Sequence, residues 1–235
     1  MLPKIKEALF DVTIPSTKKV VKVRQFTVKE EKILLMCRQS GEVSDYFSGI
    51  AQIVNNCIQD KTNVMKLPLF DVEYLFTKIR AVSVSNISKV SYRDAEDQKQ
   101  YDFDIDLDKL EVIFPPDIVN KFKISKDMSF TMKYPAIEIY TNKDFFTLDE
   151  EKAFDKLASK CMDKVFEGET VHDCSEETPE SILEFVNSMP AKTYNEMRKF
   201  LYNLPSMKNE LKYTNSNGKE VVLTQKSIED FFTFG

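Results

Sequence analysis

The sequence predicts an α+β fold, with amphipathic helices packed against antiparallel hairpins and a small antiparallel sheet. Three observations predict it. Apolar residues recur at helical spacing over residues 43–59 and 69–82. Between 86 and 140 the apolar period changes to two. Paired β-branched runs flank short polar turns near both ends of the chain. A period near 3.6 marks one face of a helix, and a period of two marks a half-buried strand.

The first element is a hairpin. FDVTIP and KVVKVRQF are β-branched runs around Pro15–Lys18. Thr27 and Glu30 have capping-box spacing and open a helix through Ile33, Leu34 and Cys37. Gly41 is placed to end it, because glycine favours the left-handed position after a helix. The second helix carries Tyr46, Phe47, Ile50, Ile53, Val54 and Cys57 on one stripe. Pro68 breaks the chain before the third, which repeats the pattern with Val72, Leu75, Phe76 and Ile79.

The strand region follows. Tyr101, Phe103, Ile105 and Leu107 alternate with Asp102, Asp104, Asp106 and Asp108, and Met128, Phe130, Met132 and Tyr134 alternate with polar residues. Such strands keep one face dry and one wet. Thr147 and Glu150 form a second capping-box pattern, read as opening a helix through Phe154, Leu157, Cys161 and Val165. Thr178–Pro179 starts another helix, and Thr193 with Glu196 is read as a third capping box. The end is a hairpin around Asn215–Gly218, then the short helix KSIEDFF. The expected organisation is 1–84 (hairpin and helical layer), 85–146 (antiparallel strands) and 147–235 (helices and terminal hairpin), three parts that one compact domain can hold.

Composition narrows the function. The 235 residues contain 33 Lys+Arg against 38 Asp+Glu, a net charge of −5 that gives nucleic acid no large cationic footprint. No apolar run approaches the roughly 20 residues of a membrane span, and MLPKIKEALF lacks the apolar region of a signal peptide, so an intracellular protein is expected. The five glycines form neither common phosphate-cradling loop. With one histidine, and four cysteines at least 13 residues apart, no compact zinc site is expected. The Asp102–Asp108 ladder fails the calcium-loop pattern: counted from Asp102, Leu107 and Ile113 stand where the loop needs Gly and Glu. His172 and Cys174 invite a nucleophile reading, but the adjacent acids disfavour a thiolate. Neither an enzyme nor a cofactor is expected.

Binding residues are then the candidates. Residues 94–117 hold nine acids and two bases, whereas 1–38 hold nine bases and four acids, so segments of opposite sign can pair or steer partners. Lys18, Lys19, Lys22 and Arg24 cluster on the first hairpin. Phe231, Phe232 and Phe234 crowd a very short terminal helix and are candidate partner anchors, as is the wet face of Asp102, Asp104 and Asp106.

Several stretches carry a family resemblance: LPKIKEALFDVTIPST, RQFTVKEEKILL, IVNNCI, LPLFDVEYLFTKIRAVSVS, YDFDIDLDKLEV, MKYP and SIEDFF. On these the chain resembles the baseplate hub assembly proteins of T-even-type contractile-tailed phages over nearly its whole length. The resemblance implies a chaperone-like factor that binds other hub or tail proteins in the host cytoplasm, or else a structural subunit kept in the virion. Such relatives favour a serine at the position of Ser83, here given a packing or capping role. Many carry paired cysteines at the tips of the second and third hairpins. Here those tips read RDAEDQKQ and TNSNGKE, so the resemblance implies no metal for this member.

Overall fold

The computed structural model describes residues 7–116 and 118–231. Strands β1 (Leu9–Thr13) and β2 (Val20–Arg24) pair antiparallel, and alternation sends Val21 and Val23 inward. Helix α1 (Val28–Ser40) opens on the expected capping box and ends at Gly41, whose φ of 68° is the left-handed conformation that glycine adopts without cost. Helix α2 (Val43–Cys57) lies close to α1 because Gly49 has no side chain: an added Cβ would collide with Cys37 Sγ. Helix α3 (Leu69–Ser83) starts after Pro68, whose fixed φ suits a helix entry. Ser83 closes it. Its hydroxyl donates to the Ile79 carbonyl and accepts the Phe26 amide at 2.9 Å, which ties the end of α3 to the entry of α1.

Strands β3 (Ile87–Arg93) and β4 (Gln100–Asp106) form the second hairpin. Next come β5 (Val112–Ile113), β6 (Lys121–Lys123), β7 (Met128–Met132), α4 (Ile137–Tyr140), α5 (Glu150–Cys161), β8 (Met162–Glu167) and β9 (Thr170–Asp173). Strands β6 to β9 make a four-stranded antiparallel sheet in chain order. Helices α6 (Pro179–Asn187) and α7 (Ala191–Tyr202) follow. The chain closes with β10 (Ser206–Met207), which pairs with β5, then the hairpin of β11 (Asn209–Thr214) and β12 (Glu220–Gln225), and α8 (Ile228–Phe231). The α+β expectation therefore holds.

The side chains sort into two cores. One joins β1–β2, α2, α3 and the second hairpin with Met207, Leu211, Ile228 and Phe231 from the chain end. The other joins the four-stranded sheet with α5, α6 and α7 through Phe130, Met132, Phe154, Cys161 and Phe200. Around Pro135 the cores meet: Phe70 packs edge-on against Tyr134 at 5.1 Å, and Tyr134 stacks on Phe200 at 5.4 Å. The three contiguous parts expected from the sequence do not follow these cores. The terminal hairpin returns to the first core instead of staying with α5–α7.

Other details also differ. The cap of α5 is Asp149, not Thr147; the Asp149 side chain accepts the Lys152 amide, while Thr147 sits in a preceding 3₁₀ turn with its hydroxyl on the Asp144 carbonyl. Helix α5 stops at Cys161, so Val165 is a strand residue opposite Phe130. Helix α7 begins after Pro190. Thr193 lies inside it, buried, donating to the Lys123 carbonyl at 3.3 Å. The segment around His172 is an edge strand.

Two buried carboxylates pin the first core. Glu30 is buried beside Arg24, which reaches it at 3.0 Å. Burial pushes its carboxyl up, but hydrogen bonds from Arg24 and from the Thr27 amide and hydroxyl outweigh that and hold it at about 2. Asp71 accepts the Ser16 amide at 3.0 Å and the Ser16 hydroxyl, fastening the tip of the first hairpin to α3. There burial wins, and the carboxyl is pushed up to about 6.

Candidate partner-binding surfaces

Phe231 is fully buried in the first core, and its carbonyl accepts the Ser88 hydroxyl at 2.6 Å. This corrects its reading as an exposed anchor: α8 folds back against β3, and the ring fills space that the second hairpin leaves open. Phe232 and Phe234 lie outside the described residues.

The acidic ladder faces solvent, as the alternation requires, with Phe103 and Ile105 turned inward. It is largely engaged within the chain. Asp102 accepts from Gln100 at 2.9 Å and Ser91 at 2.6 Å, bonds that hold its carboxyl below the usual carboxylate range. Asp104 stands opposite Lys89 across the hairpin, and Asp106 pairs with Lys109 at 3.1 Å.

The acids at the tip of the second hairpin have a further use that the sequence did not expose. They hold the third hairpin, 119 residues away along the chain. The Tyr213 hydroxyl donates to Asp94 at 2.6 Å, the Ser216 amide and hydroxyl both donate to Asp97 at 2.8 Å, and Lys219 pairs with Glu96 at 2.8 Å. The Tyr101 ring lies 4.3 Å from that of Tyr213, and its hydroxyl donates to Asp97 at 2.6 Å. These donors, Tyr101 first, hold the Asp97 carboxyl well below the usual range. The two tips that lack cysteines are thus joined by hydrogen bonds and by tilted ring contacts.

The basic residues of the first hairpin are also mostly used internally. Lys22 pairs with Asp11 at 2.9 Å, Arg24 with Glu30, and the Lys18 ammonium lies 5.2 Å from the Phe114 ring centre.

His172 sits on β9, its Nε2 3.7 Å from a Glu167 oxygen. Cys174 is buried in the following turn. Burial first, then Asp163 and Asp173, push its thiol up. Cys57 and Cys161 are likewise pushed up by burial, to about 11 and about 12, as expected of packed thiols. Among the described residues no group of three or more His, Cys, Asp or Glu is arranged to hold a metal ion, and no helix is long and apolar enough to cross a membrane.

A wet apolar surface does exist, on α1. The helix buries only Glu30 fully, with Ile33 and Leu34 packed partly onto the first core. Its outer side exposes Val28 (66%), Leu35 (53%) and Met36 (68%). Val28 and Leu35 are seven residues apart, as are Lys29 and Met36, so two mixed apolar and basic columns run along one side. The run Ile33–Cys37 contains the signal: five successive apolar residues spread over more of the helix than the stripe facing the core can bury.

A family model described as T4 bacteriophage base plate protein matches residues 7–233. No curated protein and no solved structure matches the chain.

Proposed function

Because the chain belongs to the T4 bacteriophage base plate protein family, we propose that it is a hub assembly factor that works by binding other baseplate or tail polypeptides instead of transforming a small molecule. The observation that carries this reading is the exposed apolar and basic side of α1. Leucine, valine and methionine left in water beside lysines are suited to a contact with an apolar centre and a charged rim. In a chaperone-like role that side of α1 covers a sticky face of a hub subunit until the next subunit displaces it. The raised thiol of Cys174 and the internal use of the acidic and basic clusters support a binding protein over an enzyme.

The experiment follows the chain through infection. Lysates taken during assembly, and purified mature particles, are fractionated by size and probed for the tagged protein. An assembly factor is found with hub intermediates and is missing from mature particles. Recovery at fixed stoichiometry in mature particles instead assigns it as a structural subunit. Absence from every tail-related fraction overturns the proposal.

A further inference from the structure

We infer that the outer edge of β9 is a docking site for an extended, lysine- or arginine-bearing segment of a partner protein, which adds to the sheet as a fifth strand. This deepens the assembly reading and rests on it for the kind of partner. It uses a face of the molecule separate from α1.

The edge is open. The sheet runs β6-β7-β8-β9, so β9 has β8 on one side and, among the described residues, no strand on the other. All four of its residues are exposed, with Val171 at 53%. Backbone groups along such an edge are a template for another strand. Beneath it lies a cleft of about 290 Å³ whose apolar lining, with Met162, Val165, Ile182 and Phe185 at its centre, is rimmed by Glu167, Glu177, Ser181 and His172. In the register His172 is opposite Val165, and Val165 is opposite the buried Phe130. The cleft therefore lies on the inner face of the sheet, with α6 as its far wall. A strand laid along β9 turns alternate side chains toward that face, so one apolar side chain of the incoming segment enters the cleft while its neighbours stay in water.

Charge selects the occupant. Residues 165–191 contain seven acids and no Lys or Arg. Glu169 and Asp173 flank the edge itself, and Glu177, Glu180 and Glu184 stand exposed around α6. A second copy pairing antiparallel through β9 brings two such acidic rims together, and like charges across a strand pair are unfavourable. A segment with Lys or Arg at the outward positions and an apolar residue at the inward one satisfies the edge, the cleft and the rim together.

The probes are three synthetic octapeptides, each titrated into the full chain: one alternating Lys and Val, its Glu-for-Lys counterpart, and a Lys–Val peptide N-methylated on alternate amides so that it cannot pair as a strand. Dissociation constants come from fluorescence anisotropy, and the site from amide hydrogen exchange. The Lys–Val peptide is expected to slow exchange at residues 170–173, and to bind at least tenfold more tightly than either of the others. E169K/E184K, both exposed changes away from the start of α6, is expected to weaken it at least tenfold with the unfolding midpoint unchanged. Equal binding of the N-methylated peptide, protection elsewhere than β9, or no binding at all overturns the inference. None of these outcomes touches the α1 surface, so the assembly reading is judged separately.

Discussion

Four of the antiparallel hairpins among the described residues share one design and differ in what their polar groups find. The first is fastened at its tip by Asp71, and the second and third fasten each other through Asp94, Glu96 and Asp97. At the tip of the fourth, β8–β9, the Gly168 amide donates to the Asp127 carbonyl at 2.8 Å, and the four residues of β9 are exposed. The lesson is that a charged turn does not identify a binding surface. At the first three hairpins the charge is largely engaged within the fold, whereas at β9 acids stand beside an edge that has no paired strand among the described residues.

The largest effect is expected at the seat of α8. Phe231→Ala empties a fully buried site beside the second hairpin and is expected to cost about 3–5 kcal/mol, measured by urea unfolding. A loss below about 1 kcal/mol shows that the ring is not part of the core.

The next largest effect is a pH dependence. The folded-state pKa of Asp71 is raised to about 6 from 3.8, so the folded protein binds the proton more tightly than the unfolded chain. This contribution to stability is full below pH 3.8 and is lost as pH rises through about 6. A shift of that size corresponds to roughly 2–3 kcal/mol. Asp71→Asn keeps an acceptor for the Ser16 amide but cannot ionise. The stability of the native chain relative to this variant is therefore expected to fall between pH 4 and pH 7, and a flat or rising difference contradicts the assignment. Glu30 has the opposite sign: held at about 2, its contribution is present above pH 4.5 and is lost as pH falls through about 2.

A smaller loss is expected where the third hairpin turns. Asn215 is buried, and its side-chain oxygen accepts the Asn217 and Lys219 amides at 3.1 and 3.0 Å. Asn215→Ala leaves those amides without that acceptor and is expected to cost about 1–2 kcal/mol. The smallest effect belongs to the open hairpin. Val171→Thr, at an exposed edge position, is expected to change stability by less than about 0.5 kcal/mol. A large loss there shows that β9 is covered after all.

What could be read from the sequence follows the range of the interactions involved. The capping box of α1, its glycine stop, the apolar stripe of α2 and the alternating acids of β4 depend on neighbours within a few residues, and each is found where the spacing puts it. The pattern failed where a nearer or distant group competed. Asp149 outcompetes Thr147 as a cap, and Thr193 gives its hydroxyl to a strand carbonyl 70 residues away. The segment from Cys161 to Phe166 keeps its apolar residues at helical spacing, Cys161 and Met162 then Val165 and Phe166, so its change from helix to strand has no local marker. Among candidate sites, Phe231 was visible as an unusual aromatic, but its partners Ser88 and the second hairpin lie more than 120 residues away, which no local pattern reveals. The α1 surface was visible in principle, because five consecutive apolar residues exceed what one helix face buries.

The central claim is that this chain acts by touching other baseplate polypeptides, with the outer side of α1 as the contact. Its most direct test is recovery of tagged chain from infected cells, comparing the native sequence with Leu35→Ser/Met36→Ser. The account predicts that the native chain brings down identified hub or tail subunits, and that the double variant, folded with an unchanged unfolding midpoint, brings down at least tenfold less. Equal recovery of the same subunits by both chains, or none by either, contradicts it.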